Sequence, residues 1–376
     1  MSRASSFVAG DTNDQFDVFL HDLRTGAVER VSVGESGAQA DRASIFPSLS
    51  KGARYVAFES DATNLVSGDG NGEHDIFVRD RKTGTTERVN VDSTGAEATG
   101  GGSYFAAISG NGAVVAFGSS ATNLVAGDGN GRMDVFVRDR KSGETTRVSV
   151  NSAGIEGNGD SLTYANVALG GGGRYVPFVS GASNLVAADT NGATDVFVHD
   201  RTLHRTTRMS VDSAGVQGDG PSFEPTISAN GRFFAFSSIA TNLVAGDGNG
   251  KADVFVHDRK TGETTRVSVD SAGGESNGHS GEPSISKDGR FVAFYSAASN
   301  LVVDDTNGVP DIFVHDRKTG TTVRVGVAPD GSQPNAAALT PAISGNGRAV
   351  AFESDATNLV PFDVNAQGDV FVRTVK

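Results

Sequence analysis

From Arg232 onward the chain reads Arg232-Phe-Phe-Ala-Phe-Ser237, then Ile239-Ala-Thr-Asn-Leu-Val-Ala-Gly-Asp-Gly-Asn-Gly-Lys-Ala-Asp253, then Val254-Phe-Val-His-Asp258. The turn Arg259-Lys-Thr-Gly262 and the run Thr264-Thr-Arg-Val-Ser-Val269 follow. Short runs of Val, Phe, Ile and Thr cut by glycine- and asparagine-rich turns are strand chemistry. No stretch keeps a helical spacing. With the preceding run Pro225–Ser228 and the turn Ala229-Asn230-Gly231, this makes four strands, A to D. The A–B and C–D hairpins are tight, and the B–C and D–A loops are long.

The same unit recurs along the whole chain. Its first-hairpin glycine falls at Gly52, Gly112, Gly173, Gly231, Gly289 and Gly347, at intervals of 58 to 61 residues. A repeated four-stranded unit of this size predicts an all-β, six-bladed β-propeller with four-stranded blades. Blades are expected near residues 44–103, 104–162, 163–222, 223–281 and 282–339, with a last blade closed by N- and C-terminal segments, 340–376 plus 1–43. Strand C occurs seven times but strands A, B and D six times, so one C copy is surplus. Both faces of strand C are apolar, as in Ile76-Phe77-Val78, which suits a sheet covered on both sides. His204 stands where the other C–D turns have Gly26, Gly84, Gly143, Gly262 and Gly320, and is expected in the left-handed conformation.

Composition narrows the function. The 49 glycines fit a turn-rich architecture, and no run of apolar residues is long enough to span a membrane. A net charge of −13 argues against nucleic acid and anionic lipid as partners and points to cations. Cysteine is absent, which suits a reducing cytoplasm and equally a bacterial secreted protein stabilised without disulfides. The start inside a B–C loop suggests natural sequence upstream. A monomer is expected.

Units carrying Ser286-Lys-Asp-Gly-Arg-Phe-Val-Ala-Phe294 and Asp311-Ile-Phe-Val-His-Asp316 resemble the WD-like propeller repeats of the TolB-like family. The resemblance covers essentially the whole chain. It implies a propeller in a periplasmic or secreted bacterial setting, serving as a scaffold, a partner-binding protein or an accessory domain of a peptidase. Fold likeness alone does not carry a function.

One motif could carry chemistry. The B–C loop holds Asp-x-Asn-x-x-x-Asp seven times: Asp11/Asn13/Asp17, Asp69/Asn71/Asp75, Asp128/Asn130/Asp134, Asp189/Asn191/Asp195, Asp247/Asn249/Asp253, Asp305/Asn307/Asp311 and Asp363/Asn365/Asp369. Three oxygen-bearing side chains stay fixed while the residues between them drift. Calcium, which takes six to eight oxygen ligands, would explain the pattern. The lack of cysteine, and of histidine in the triplet, disfavours zinc and copper. Turn chemistry explains it equally, since Asp and Asn bond their own nearby amides and Asn-Gly turns readily.

The ends of strand C alternate between His21, His199, His257 and His315 and Arg79 and Arg138, which reads as hairpin hydrogen bonding, not metal ligation. Asn64 and its equivalents in the Thr-Asn-Leu-Val element are expected to anchor the long loop. The D–A loops vary most between units and offer Tyr104, Tyr164, Glu224, His279 and Glu282 as a ligand-binding surface for a protein or carbohydrate. No nucleophile elbow or phosphate loop is present. The expected function is a non-catalytic binding scaffold with calcium in its loops. The alternatives are a hydrolase or lyase using Glu224, Glu282 and His279 at the channel mouth, or an accessory propeller of a larger enzyme.

Overall fold

The computed structural model describes residues 1–162, 167–365 and 367–375. The chain forms two compact units, residues 1–185 with 199–206, and residues 186–198 with 207–376.

The first unit begins with a two-stranded sheet, β1 (Phe19–His21) and β2 (Val28–Arg30). Two four-stranded antiparallel sheets follow. One contains β3 (Ser44–Leu49), β4 (Tyr55–Ser60), β5 (Asp75–Asp80) and β6 (Thr85–Arg88), each beside the next. The other contains β7 (Ser103–Ile108), β8 (Val114–Ser119), β9 (Asp134–Asp139) and β10 (Glu144–Arg147) in the same order. A three-stranded sheet of β11 (Tyr175–Ser180), β12 (Asp195–Asp200) and β13 (Arg205–Arg208) has residues in both units.

The second unit holds β14 (Ser222–Ile227), β15 (Phe233–Ser238), β16 (Asp253–Asp258) and β17 (Glu263–Arg266), then β18 (Ser280–Ile285), β19 (Phe291–Ser296), β20 (Asp311–Asp316) and β21 (Thr321–Arg324). Each set forms a four-stranded sheet in chain order. A final sheet has three strands, β22 (Ala338–Ile343), β23 (Ala349–Ser354) and β24 (Asp369–Thr374). The surplus strand C is thereby placed: β24 pairs with β23 from Ala349↔Thr374 to Ser354↔Asp369.

Strand C is buried on both faces, as its apolar run requires: Ile76, Phe77 and Val78 are at most 1% exposed. Phe58 and Phe77 are direct cross-strand partners, and their rings stack at 5.9 Å. The same pair recurs as Phe117/Phe136, Phe236/Phe255 and Phe294/Phe313. Burying each such ring contributes about 2 kcal/mol, and the stacking adds to it. Side chains from consecutive sheets then merge into one core; Ile76, Val78, Val89 and Ala98 pack with Val115, Phe117 and Leu124.

Two backbone features position the functional groups. His204 adopts φ +50°, matching Gly84, Gly143, Gly262 and Gly320 in the equivalent turns. Strand A is broken by a bulge in five sheets, with register shifts between Ile45/Ser48, Tyr104/Ala107, Phe223/Thr226, Gly281/Ser284 and Leu339/Ala342. At each bulge a residue other than glycine is left-handed: Phe46, Phe105, Glu224, Glu282 and Thr340 have φ between 48° and 57°. Such backbone costs on the order of 1 kcal/mol or more and persists only where neighbours hold it.

Candidate functional site

The B–C loops fold alike because each asparagine organises its own turn. Its Oδ1 accepts the amide two residues on, as from Glu73 to Asn71 at 2.8 Å. Its Nδ2 donates to the closing aspartate and to a carbonyl of the D–A loop: Asn71 to Asp75 Oδ1 at 3.1 Å and Ala98 O at 3.1 Å, Asn130 to Asp134 Oδ2 at 2.9 Å and Gly157 O at 3.0 Å. Asn13, Asn191, Asn249 and Asn307 do the same. The asparagine oxygen is thus occupied by backbone, in the manner of an Asx turn.

The two aspartates of a loop converge on an arginine from strand D. Arg88 Nη1 lies 3.3 Å from Asp69 Oδ1 and 3.1 Å from Asp75 Oδ2, and also bonds Glu97. Arg147 makes the same three contacts with Asp128, Asp134 and Glu156 at 3.1, 3.2 and 2.7 Å. Arg266 joins Asp247, Asp253 and Glu275. In the other copies the third partner is a glutamine: Arg30 faces Asp11 and Asp17 beside Gln39, Arg208 faces Asp189 and Asp195 and donates to Gln217, and Arg324 faces Asp305 and Asp311 and donates to Gln333. The closing aspartates Asp17, Asp75, Asp134, Asp195, Asp253 and Asp311 are at most 1% exposed. Asp363 and Asp369 have no arginine among the described residues, although Asn365 keeps its bond to Asp369 Oδ2 at 3.1 Å.

Charge counting separates the copies. Two aspartates, one glutamate and one arginine sum to −2; with glutamine in place of glutamate the sum is −1. Burial, then the partner aspartate, pushes Asp69 and Asp247 up to about 6 against the pull of Arg88 and Arg266. Burial likewise raises Asp311 to about 6. The carboxylate oxygens of Asp69/Asp75/Glu97, of Asp128/Asp134/Glu156 and of Asp247/Asp253/Glu275 lie within 4.8 Å of one another, so these acidic groups could hold a metal ion. The arginine occupies the centre that such an ion would need.

The histidines at the ends of strand C are hairpin groups. His199, His257 and His315 each place Nδ1 2.9 Å from a strand D threonine, Thr206, Thr264 and Thr322. Each threonine hydroxyl donates to a valine carbonyl of the preceding repeat, Val150, Val211 or Val269, so the histidine nitrogen is the donor. Arg79 and Arg138 donate to Thr86 and Thr145 in the same position. Burial lowers the pKa of all three histidines, that of His199 to about 4. Asn64 anchors its loop by donating to Gln39 O at 2.8 Å and accepting from Asp41 N at 3.1 Å.

Of the D–A loop residues, Tyr164 lies outside the described residues. Glu224 Oε2 accepts the amide of Glu282 at 2.7 Å and the hydroxyl of Ser237 at 2.7 Å, and Glu282 Oε2 accepts the amide of Thr340 at 2.8 Å. Each carboxylate therefore holds the strand A bulge of the following sheet. Burial, with Glu224 and Glu353 nearby, raises Glu282. His279 Nδ1 accepts the amide of Ala252 at 3.0 Å, a turn contact. In the first unit Glu59 takes the bulge role, accepting from Phe105 N at 3.1 Å. Beside it His74 contacts Asp61 at 2.9 Å and packs on Tyr104 with ring centres 5.1 Å apart. The sequence pattern missed Glu59, Asp61 and His74; Glu59 and Asp61 recur as Glu353 and Asp355 in an identical stretch, whereas His74 stands at a drifting position of its loop.

No protein-family model matches the chain, and no curated protein matches it in sequence. Solved structures do. The β-propeller domain of the Trilobed protease from Pyrococcus furiosus, described as having an open velcro topology, is similar with a TM-score of 0.55 and 11% identity, over 95% of this chain and 86% of that one. This fold is a β-propeller. The propeller is also similar to the acylaminoacyl peptidase of Pyrococcus horikoshii, with a TM-score of 0.50 and 13% identity over 89% of this chain and 45% of that one. TolB from Acinetobacter baumannii matches with a TM-score of 0.45 and 16% identity over 82% of this chain. The propeller spans 59% of that TolB and under half of the peptidase. Among the described residues no helix is long and apolar enough to cross a membrane.

Proposed function

We propose that this propeller is a non-catalytic binding scaffold that meets a protein or carbohydrate through its strand A bulges. One observation carries the reading: a repeated frame holds a left-handed residue at each of five bulges, and its side chain changes along the chain from phenylalanine to glutamate to threonine. The first unit offers Phe46 and Phe105, with Tyr104 alongside, and the second offers Glu224, Glu282 and Thr340. Strain of this kind clusters at ligand-contacting positions, and variation on a rigid scaffold is how recognition surfaces are built. The carboxylates that could act as acid and base are instead engaged with backbone amides. A glycan and peptide array, probed with the protein and with Phe46→Ala and Phe105→Ala, should show ligands lost by the variants. Turnover of sugar or lactone substrates that Glu282→Gln abolishes would reverse the reading. A periplasmic or secreted bacterial protein, monomeric, is the setting that fits it.

Calcium is a second reading, supported by the third carboxylate of three loops. It would enter at Glu97, Glu156 and Glu275 with their aspartates, displacing Arg88, Arg147 and Arg266, and its two positive charges would offset more of the −3 of three carboxylates than the single charge of the arginine does. The glutamine copies have one carboxylate fewer. Calorimetry on chelated protein should then give three sites, with one lost for each Glu→Gln substitution. A melting temperature unmoved by calcium and by chelator, with no heat of binding, would leave the arginines as the only counter-ions.

A further inference from the structure

In a regular strand consecutive side chains point to opposite faces, and the bulge in β7 breaks that rule. Its register shift between Tyr104 and Ala107, with Phe105 left-handed at φ 57°, brings the rings of Tyr104 and Phe105 to 6.3 Å from each other. The row extends at both ends: Phe46, at the bulge of β3, stands 5.7 Å from Phe105, and the His74 ring stands 5.1 Å from Tyr104. Phe46 is exposed, and Tyr104 and Phe105 are half-buried. Tyr104 can lie back because residue 102 is glycine; a Cβ there would stand 2.6 Å from the hydroxyl. Beside this row lie carboxylates without a cation. Glu59 is 2% exposed, and only its Oε2 has a donor, the amide of Phe105 at 3.1 Å. Its Oε1 lies 3.8 Å from His74 Nδ1, beyond hydrogen-bond distance. Asp61 Oδ1 lies 2.9 Å from the same nitrogen, but off the direction of a hydrogen bond. Burial, then the negative charges of Glu73, Glu59 and Asp61, raise the Tyr104 hydroxyl above its usual range. Among the described residues no lysine or arginine pairs with Glu59 or Asp61, whereas Asp69 and Asp75 share Arg88. Even a protonated His74 would leave these three carboxylates with net negative charge. All of these residues belong to the first unit.

We propose that this site binds a primary ammonium group on an alkyl stem, carried by a free amine or by a lysine side chain of a partner protein. Naming the ligand in this way rests on the reading of the bulges as a binding surface. An ammonium brings three donors, and Glu59 Oε1 and the Asp61 carboxylate accept no hydrogen bond among the described residues. The faces of Tyr104 and Phe105 attract a cation, while the apolar stem of an amine can lie along the exposed ring of Phe46. A sugar would find the same rings and acceptors but would leave the negative charge uncompensated. A quaternary ammonium would compensate the charge but has no N–H for the two carboxylates.

The test uses the full chain with isotope-labelled phenylalanine and tyrosine rings, titrated with butylammonium and with the peptide acetyl-Gly-Lys-Gly-amide. Saturable shifts of the Phe46, Tyr104 and Phe105 ring signals in magnetic resonance spectra are expected. Tighter binding of butylammonium identifies a free amine as the ligand, and tighter binding of the peptide identifies a lysine side chain. Butanol, and the peptide with norleucine in place of lysine, keep the stem without the charge and should bind roughly tenfold or more weakly, as loss of charge-assisted hydrogen bonds does. Glu59→Gln keeps an acceptor for the Phe105 amide and should give a similar loss. Should that variant fail to fold, Asp61→Asn and the uncharged probes still decide. Absence of saturable shifts overturns the proposal, as does equal binding of the charged and uncharged probes. If the amines move no ring signal while glycans or uncharged peptides bind and are lost in Phe46→Ala, the ammonium assignment fails and the binding surface stands; if neither class binds, both fail.

Discussion

Gly326 interrupts a hydrogen-bond pattern that five other repeats complete, and replacing it with serine should stabilise the protein. In those repeats the strand D residue two after the arginine donates to the closing aspartate at 2.5 to 2.6 Å and accepts the next amide, as Ser268 does from Val254 N at 3.1 Å. At Gly326 there is no side chain, and Asp311 Oδ1 is buried without a partner. A Cβ added there would meet Ile312 N at 3.4 Å and Ala338 Cβ at 3.6 Å, ordinary contact distances, and Gly326 is not in the left-handed region. A hydroxyl bonding a buried carboxylate contributes about 1.5–3 kcal/mol, and the loss of glycine freedom in the unfolded chain about 0.4–1 kcal/mol. Gly326→Ser should therefore gain about 2–4 kcal/mol, read as a higher urea midpoint with an unchanged slope. Gly326→Ala should gain only the chain-entropy part, up to about 1 kcal/mol. The pH dependence adds a sign. Burial raises folded Asp311 to about 6, above its unfolded value, so the stability its proton lends at low pH is lost as pH rises from about 4 to 6. Serine holds the carboxylate in its charged form, so its gain should be larger at pH 8 than at pH 4. A serine variant no more stable than the alanine variant would refute the reasoning.

Arg147→Ala should cost about 3–5 kcal/mol, because it leaves Asp128, Asp134 and Glu156 clustered without a counter-ion, whereas Arg24→Ala, whose side chain is 84% exposed, should cost about 0.5 kcal/mol or less; chemical denaturation of both variants checks the contrast. His199, His257 and His315 titrate below their unfolded value, so the stability they contribute is full above about pH 6.5 and is lost as pH falls toward the folded pKa, about 4 for His199. Replacing all three by arginine, as at Arg79 and Arg138, should flatten the melting temperature between pH 6.5 and 4; an unchanged slope would show that other groups govern it. Glu282→Ala strips the acceptor from the Thr340 amide and should cost about 1–3 kcal/mol, with faster amide exchange at Thr340 than in wild type.

The blade was legible because its glycine-marked period survives every local change, and the phenylalanine of strand C announced burial on both faces. The acidic loops were legible as a pattern but not as a structure. Their arginine stands 13 residues beyond the closing aspartate, across the C–D hairpin, and the glutamate or glutamine a further nine residues on. Inspecting the loop alone therefore found the anions without their cation; the fixed offsets were the available signal. Glu224 and Glu282 carried the opposite difficulty. Their carboxylates were visible in the sequence, but the amides they accept belong to bulges about 58 residues away, and a main-chain donor leaves no mark in composition. Pro47, Pro225, Pro283 and Pro341, each directly after a bulge residue, were the hint, since proline in a sheet interior favours irregular pairing.

The threonine hydroxyls of strand D reach a main-chain carbonyl of the preceding repeat, at Val33, Val91, Val150, Val211 and Val269. A peptide carbonyl is offered by any residue type, so this joint asks nothing of the neighbour's side-chain identity. Modules joined in this way are interchangeable: a gene duplication that adds or removes one leaves both new junctions bonded as before, with no compensating change. Copy number in such a chain can drift far more freely than the sequence of any single module.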